Sequence, residues 1–167
     1  MKIKTNFNDV IPEKYSKGAK GSDLLLGKTI RSFPFEILDL PEGTKSIAFT
    51  LIDYDAVPVC GFPWIHWLVT NVPKSQTEIP DNFSRTSDNK IEGKNSNVSR
   101  FLPEDLSAVE NNYVGPYPPD KDHIYTLTVY ALSEDLNLEN GFYLNDFLKA
   151  TEGKIIEETS HELIGRN

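Results

Sequence analysis

The sequence predicts one β-rich domain, an antiparallel or mixed sheet sandwich with short helices gathered at its C-terminal end. Apolar and β-branched runs of strand length recur between turn-rich loops. No regular strand–helix–strand alternation appears, which argues against a doubly wound parallel sheet. The tail changes to a more helix-like apolar spacing. A chain of 167 residues suits a single domain, 1–167, with one sizeable core.

The elements follow in order. KIKTNF alternates and reads as a strand. IPEKYSKGAKGSD is turn-rich, with Pro12, Gly18 and Gly21. LLLGKTIRSFPFEILDL is mixed, and LPEGTK is a turn with Pro41 ahead of Gly43. SIAFTLID is the clearest strand and ends at Asp53. WIHWLVTNV is the second strong strand, closed by Pro73. Residues 74–112 lack strong periodicity, a stretch too long for a structureless connection, so short elements are expected within it. NYVGPYPPDKDH is a stiff Gly/Pro loop, and HIYTLTVYAL is the third strong strand. NDFLKATEG reads as a helix with Asn145 as N-cap. KIIEETSHELIG continues as a second helix, with His161 on its solvated side.

Lys plus Arg total 17 and Asp plus Glu 25, a net charge of -8 that disfavours nucleic acid. The single cysteine, Cys60, excludes an intrachain disulfide and a cysteine-rich metal site. There is no apolar run of signal-peptide or membrane-span type, so the expected compartment is the cytoplasm.

Two segments carry the chemistry. In DYDAVPVCGFPWIHW, Asp53 and Asp55 follow one strand and His66 lies early in the next, so Asp53 and His66 are expected to meet. A carboxylate beside an imidazole fixes its tautomer and favours its charged form. In YVGPYPPDKDHIY, Gly115 allows close approach of a ligand, prolines stiffen the rim, and His123 and Tyr125 share a strand face. Blander readings compete with each: a satisfied buried His66, an exposed His123, and turn or cap roles for Asp53 and Asp55. Two Asp and two His could hold a divalent metal, though no spacing such as HExxH supports it. Cys60 could act as a nucleophile with His66 as base.

These segments resemble the phosphatidylethanolamine-binding protein family, and more closely its bacterial Raf kinase inhibitor-like (YbhB/YbcL-type) branch. LPEGTKSIAFTLIDYDA resembles the approach to the family's Asp-Pro-Asp-Ala-Pro motif. IHWLVTNVP matches the strand with the first pocket histidine. YVGPYPPDKDHIYTLTVYAL matches the Gly-Pro-x-Pro-Pro loop and the strand with the second. The resemblance implies a large central antiparallel sheet packed on a smaller one, with short C-terminal helices. It implies a pocket for a small anion or phosphorylated headgroup, with Asp53, Asp55, Trp64, His66, Gly115, Pro116, His123 and Tyr125 as ligand-binding residues. No cofactor, metal or catalytic residue is implied, and the expected role is a non-enzymatic binding protein, on the pattern of a kinase or protease inhibitor. A protein target and a homodimer are compatible partners. The alternatives are an interaction module with a vestigial pocket, docking partners on 74–112, and a metal- or thiol-dependent hydrolase. The chain departs from the family pattern at DYDAVP (53–58), in its longer spacing from Asp55 to His66, and at SDLLLG (22–27), where a Ser-Pro-Pro-Leu-x-Trp motif is usual.

Overall fold

A computed structural model describes residues 1–167. SIAFTLID forms β5 (Ser46–Asp53), and all eight of its residues are buried. A run so continuously apolar and β-branched suits the middle of a sheet covered on both faces. It lies between β6 (Trp64–Pro73) and β9 (His123–Leu132). The sheet is extended by β8 (Ile91–Glu92) beyond β6 and by β10 (Ile155–Gly165) beyond β9. Every pairing in this five-stranded sheet is antiparallel. A smaller antiparallel sheet has the order β1 (Lys2–Thr5), β4 (Phe35–Leu38), β7 (Glu78–Ile79). A short hairpin pairs β2 (Leu24–Leu25) with β3 (Lys28–Thr29). The protein is therefore mostly β, as the sequence predicts.

The main core lies between the two sheets. Phe33, Phe35 and Ile37 meet Phe49, Leu51, Trp67, Val69, Leu127 and Val129. Phe49 and Trp67 pack edge to face at 4.8 Å, and Phe33 packs edge-on to Trp67 and Tyr113. Burying each large apolar side chain contributes about 1.5–3 kcal/mol, so this aromatic layer dominates the attraction between sheets. A second cluster covers the other face of the large sheet. There Ala48, Leu68 and Leu132 meet Leu136, Phe142 and Phe147.

The C-terminal reading is half corrected. A helix forms at Leu144–Ala150, but Tyr143 is its N-cap and Asn145 lies inside it; the Asp146 carboxylate accepts the Tyr143 N–H. The expected second helix is instead β10, an edge strand paired along almost its whole length with β9. His161 accordingly sits on a strand, with its Nε2 on Asp9. Residues 74–112 do hide short elements: β7, a helical turn at Phe83–Thr86, β8, and a 3-10 turn at Ser96–Val98. No helix is long and apolar enough to cross a membrane.

Candidate functional site

The register of the large sheet builds the site. At the end of the central strand, Asp53 lies opposite Trp64 on β6 and Tyr125 on β9. Directly paired residues share a face, and so do residues two apart, so His123 lies on the same face as Asp53. His66 falls at a register irregularity, where Leu51 faces Trp67 but Ile52 faces Ile65. Such a bulge re-aims a side chain beside a site.

A cavity of about 500 Å³ opens there. Asp53, Trp64, His66, Gly115, His123 and Tyr125 line it. Leu26, Lys28 and Thr29 come from the β2–β3 hairpin, Val59 and Cys60 from a helical turn at Val57–Cys60, and Asn97 from the 3-10 turn. Two expected residues do not line it. The Asp55 carboxylate accepts the Ile124 N–H at 2.9 Å, which ties the segment after β5 to β9. Pro116 is buried against the chain end: a Cβ added at Gly165 would lie 2.9 Å from Pro116 Cβ. Both residues support the rim from behind.

The Asp53–His66 contact expected from the sequence is replaced by another. Asp53 Oδ2 lies 2.7 Å from His123 Nδ1, and its Oδ1 accepts the Ala56 N–H. Thus Asp53 caps the turn and also orients an imidazole. His123 is fully buried, not exposed, and its Nε2 lies 2.8 Å from the Asp120 carboxylate. Burial opposes its charge, but the bonds to Asp53 and Asp120 outweigh that and raise its pKa. With a carboxylate on each nitrogen, both must donate, so the ring is an imidazolium. It has no free N–H for a ligand while Asp120 stays in place.

His66 is the opposite case. Its Nδ1 lies 2.7 Å from the Val114 carbonyl, which only accepts, so Nδ1 carries the proton. Burial pushes its pKa down to about 4, with the carbonyl bond and the Asp53 charge offsetting only part of this. At neutral pH its Nε2 therefore carries a lone pair. The Tyr125 ring packs edge-on to His66 at 5.0 Å, and burial together with the Asp53 charge raises the Tyr125 phenol. Phe62 stacks on Trp64 at the wall.

Packing within the protein already requires a glycine at position 115. Its N–H donates to the Thr29 carbonyl, and a Cβ there would lie 2.3 Å from the Tyr15 carbonyl oxygen. Cys60 is exposed, with its thiol on the Ala56 and Phe62 carbonyls. No group of three or more His, Cys, Asp or Glu side chains is placed to hold a metal ion. Asp120, Lys28 and Asn97 were not singled out from the sequence. Only Asp120 had a signal, a carboxylate three residues ahead of His123.

Comparison with known proteins gives a consistent answer. Residues 3–164 match the family model described as phosphatidylethanolamine-binding protein. The chain is 45% identical over 167 residues to Bacillus subtilis YxkA, covering 99% of each. It is 31% identical to a UPF0098 protein of Methanothermobacter thermautotrophicus, covering 99% of this chain and 97% of that one. Among solved structures, a phosphatidylethanolamine-binding protein homologue of Chlamydia trachomatis superposes with a TM-score of 0.74 at 27% identity, over 99% and 95% of the chains. E. coli YbcL gives 0.76 at 21% identity, over 99% and 97%, a likeness of fold.

Proposed function

Because the chain belongs to the phosphatidylethanolamine-binding protein family, we propose that it is a binding protein whose cavity takes a small anionic group, phosphate- or carboxylate-bearing, against His66. One observation carries the reading. The His66 Nδ1 proton is committed to Val114, which leaves Nε2 as the ring nitrogen without a protein partner, in a residue lining the cavity. Lys28 on the hairpin supplies a positive side chain to the same cavity. The neutral Nε2 cannot donate to an anion. Binding must therefore bring in a proton, either on the ligand oxygen or on the ring.

We read the site as a binding pocket, not a hydrolase. The Cys60 thiol is bonded to carbonyl oxygens, and the His66 proton to Val114. A nucleophile and its base would instead be bonded to each other.

Calorimetric titration with sulfate tests this, because sulfate keeps its charge between pH 4 and 8. Uptake of one proton weakens binding by about tenfold for each pH unit above the free His66 value. His66→Ala should abolish both the binding and its pH dependence. No sulfate binding at pH 5, or equal binding by His66→Ala, overturns the reading.

A further inference from the structure

The two carboxylates on His123 are held very differently. Asp53 is 3% exposed, sits at the end of the central strand and is anchored a second time on the Ala56 N–H. Asp120 lies in the loop after Pro118 and Pro119, and its side chain is 52% exposed. Its bond to His123 spans only three residues of chain. One partner is thus built into the sheet, while the other closes a buried imidazolium on its water side. A half-exposed carboxylate regains hydration when it turns outward, so leaving costs it little. The buried Nε2–H left behind then needs another acceptor. A ligand oxyanion is the natural replacement, since His123 and Pro119 line the cavity and Asp120, the next residue after Pro119, stands just outside that lining.

Resting on the anion-pocket reading above, we propose that Asp120 is an internal competitor for the ligand. Its carboxylate takes the place on His123 Nε2 that a ligand oxygen would occupy, and so it sets which anions the pocket accepts. A group tethered by a short stretch of chain acts at an effective concentration on the order of millimolar. A free monocarboxylate below that level loses the competition against a like group. A phosphate group, with more negative charge and more acceptor oxygens, displaces Asp120 more readily. Asp120 is in this sense a specificity-determining residue that disfavours simple carboxylates.

The test compares the wild type, Asp120→Ala and Asp122→Asn by calorimetry, with inorganic phosphate and with acetate as probes. Asp122 is a loop carboxylate bound to Arg166 and the Asn167 N–H, not to His123, so it controls for net charge. Asp120→Ala should bind phosphate at least about tenfold more tightly than wild type, with a larger gain for acetate. Asp122→Asn should stay within about twofold of wild type, because an exposed charge away from the ring is screened. The His123 ring, followed by NMR, should titrate lower in Asp120→Ala and unchanged in Asp122→Asn. Equal or weaker phosphate binding by Asp120→Ala overturns this inference alone. So does an equal gain in Asp122→Asn. Absence of phosphate binding in both wild type and Asp120→Ala overturns the anion-pocket reading together with it.

Discussion

Replacing His66 by Asn should change how stability depends on pH, and the buried ring fixes both the direction and the size. In the folded chain burial holds His66 down to about 4. An unfolded histidine titrates near ~6.5. Between those values the unfolded chain binds a proton that the folded chain refuses, so stability rises with pH across this window and falls on acidification. A gap of ~2.5 pH units corresponds to about 3 kcal/mol lost between pH 7 and pH 4. Asn places an amide N–H near where Nδ1–H stands, so the bond to Val114 can be kept while the titration is removed. The variant loses the packing of the ring on Tyr125 at every pH. Urea unfolding of both proteins at pH 7, 6, 5 and 4 reads the effect. The variant should be less stable at pH 7, and its deficit should shrink by about 3 kcal/mol by pH 4. His123 works in the opposite sense but is present in both proteins and cancels. Parallel stability curves would refute the argument, because they would mean that His66 does not titrate differently in the folded and unfolded chains.

Two further outcomes follow from the same contacts. Gly115→Ala pushes a methyl group to 2.3 Å from the Tyr15 carbonyl and 2.9 Å from Thr29 Cβ. Both neighbours belong to other parts of the fold, so a cost of about 1–3 kcal/mol and a fall in Tm of roughly 3–9 °C are expected by calorimetry, and an unchanged Tm contradicts the packing account. Asp53→Asn removes the buried charge from His123 Nδ1, which should cost about 2–4 kcal/mol in urea unfolding at pH 6. The raised His123 pKa stabilises the fold fully below ~6.5 and is lost as pH rises through the folded value, so this alkaline loss should be smaller in the variant.

The central strands were legible because one-dimensional pattern and three-dimensional role coincide there. Ile47, Phe49 and Leu51 face one core and Ala48 joins the other, so the interior of SIAFTLID is apolar or β-branched, with buried Ser46 and Asp53 at its two ends. The tail misleads for the converse reason. On β10 only Leu163 and Gly165 are buried, and most of the strand is half in water beside β9. Its Glu-rich sequence therefore shows no strong apolar alternation, and Ile155, Ile156 and Leu163 suggest a helical face. The pairing with β9, not any local propensity, makes it a strand. The short elements within 74–112 were hidden similarly: β7 and β8 are two residues each, below the length at which a period can be read.

The site shows the same division, and it bears on what the pocket can bind. Strand period pairs His123 with Tyr125, chain adjacency pairs Asp53 with His66, and only the resemblance of both segments to family motifs joined the two pairs into one expected pocket; all four residues line the cavity. Which carboxylate meets which histidine was not readable. A central strand has two neighbours, and Asp53 reaches across to β9 (contacting His123, 70 residues away) while the bulge turns His66 to Val114. This exchange reverses the charges expected from adjacency: His123 is the cation and His66 the neutral ring. The charge on His123 is then balanced by Asp53 within the sheet and by Asp120 from the loop. A substitution on the strands should alter whether the pocket exists at all, through Asp53 and the core behind it. On the proposed anion-pocket reading, a substitution at Asp120 in the loop should alter which anion enters while leaving the fold intact. Ligand choice in this chain is therefore expected to follow the loop sequence YPPDKD more closely than the DYDAVP segment, whose Asp53 and Asp55 are engaged by His123, Ala56 and Ile124.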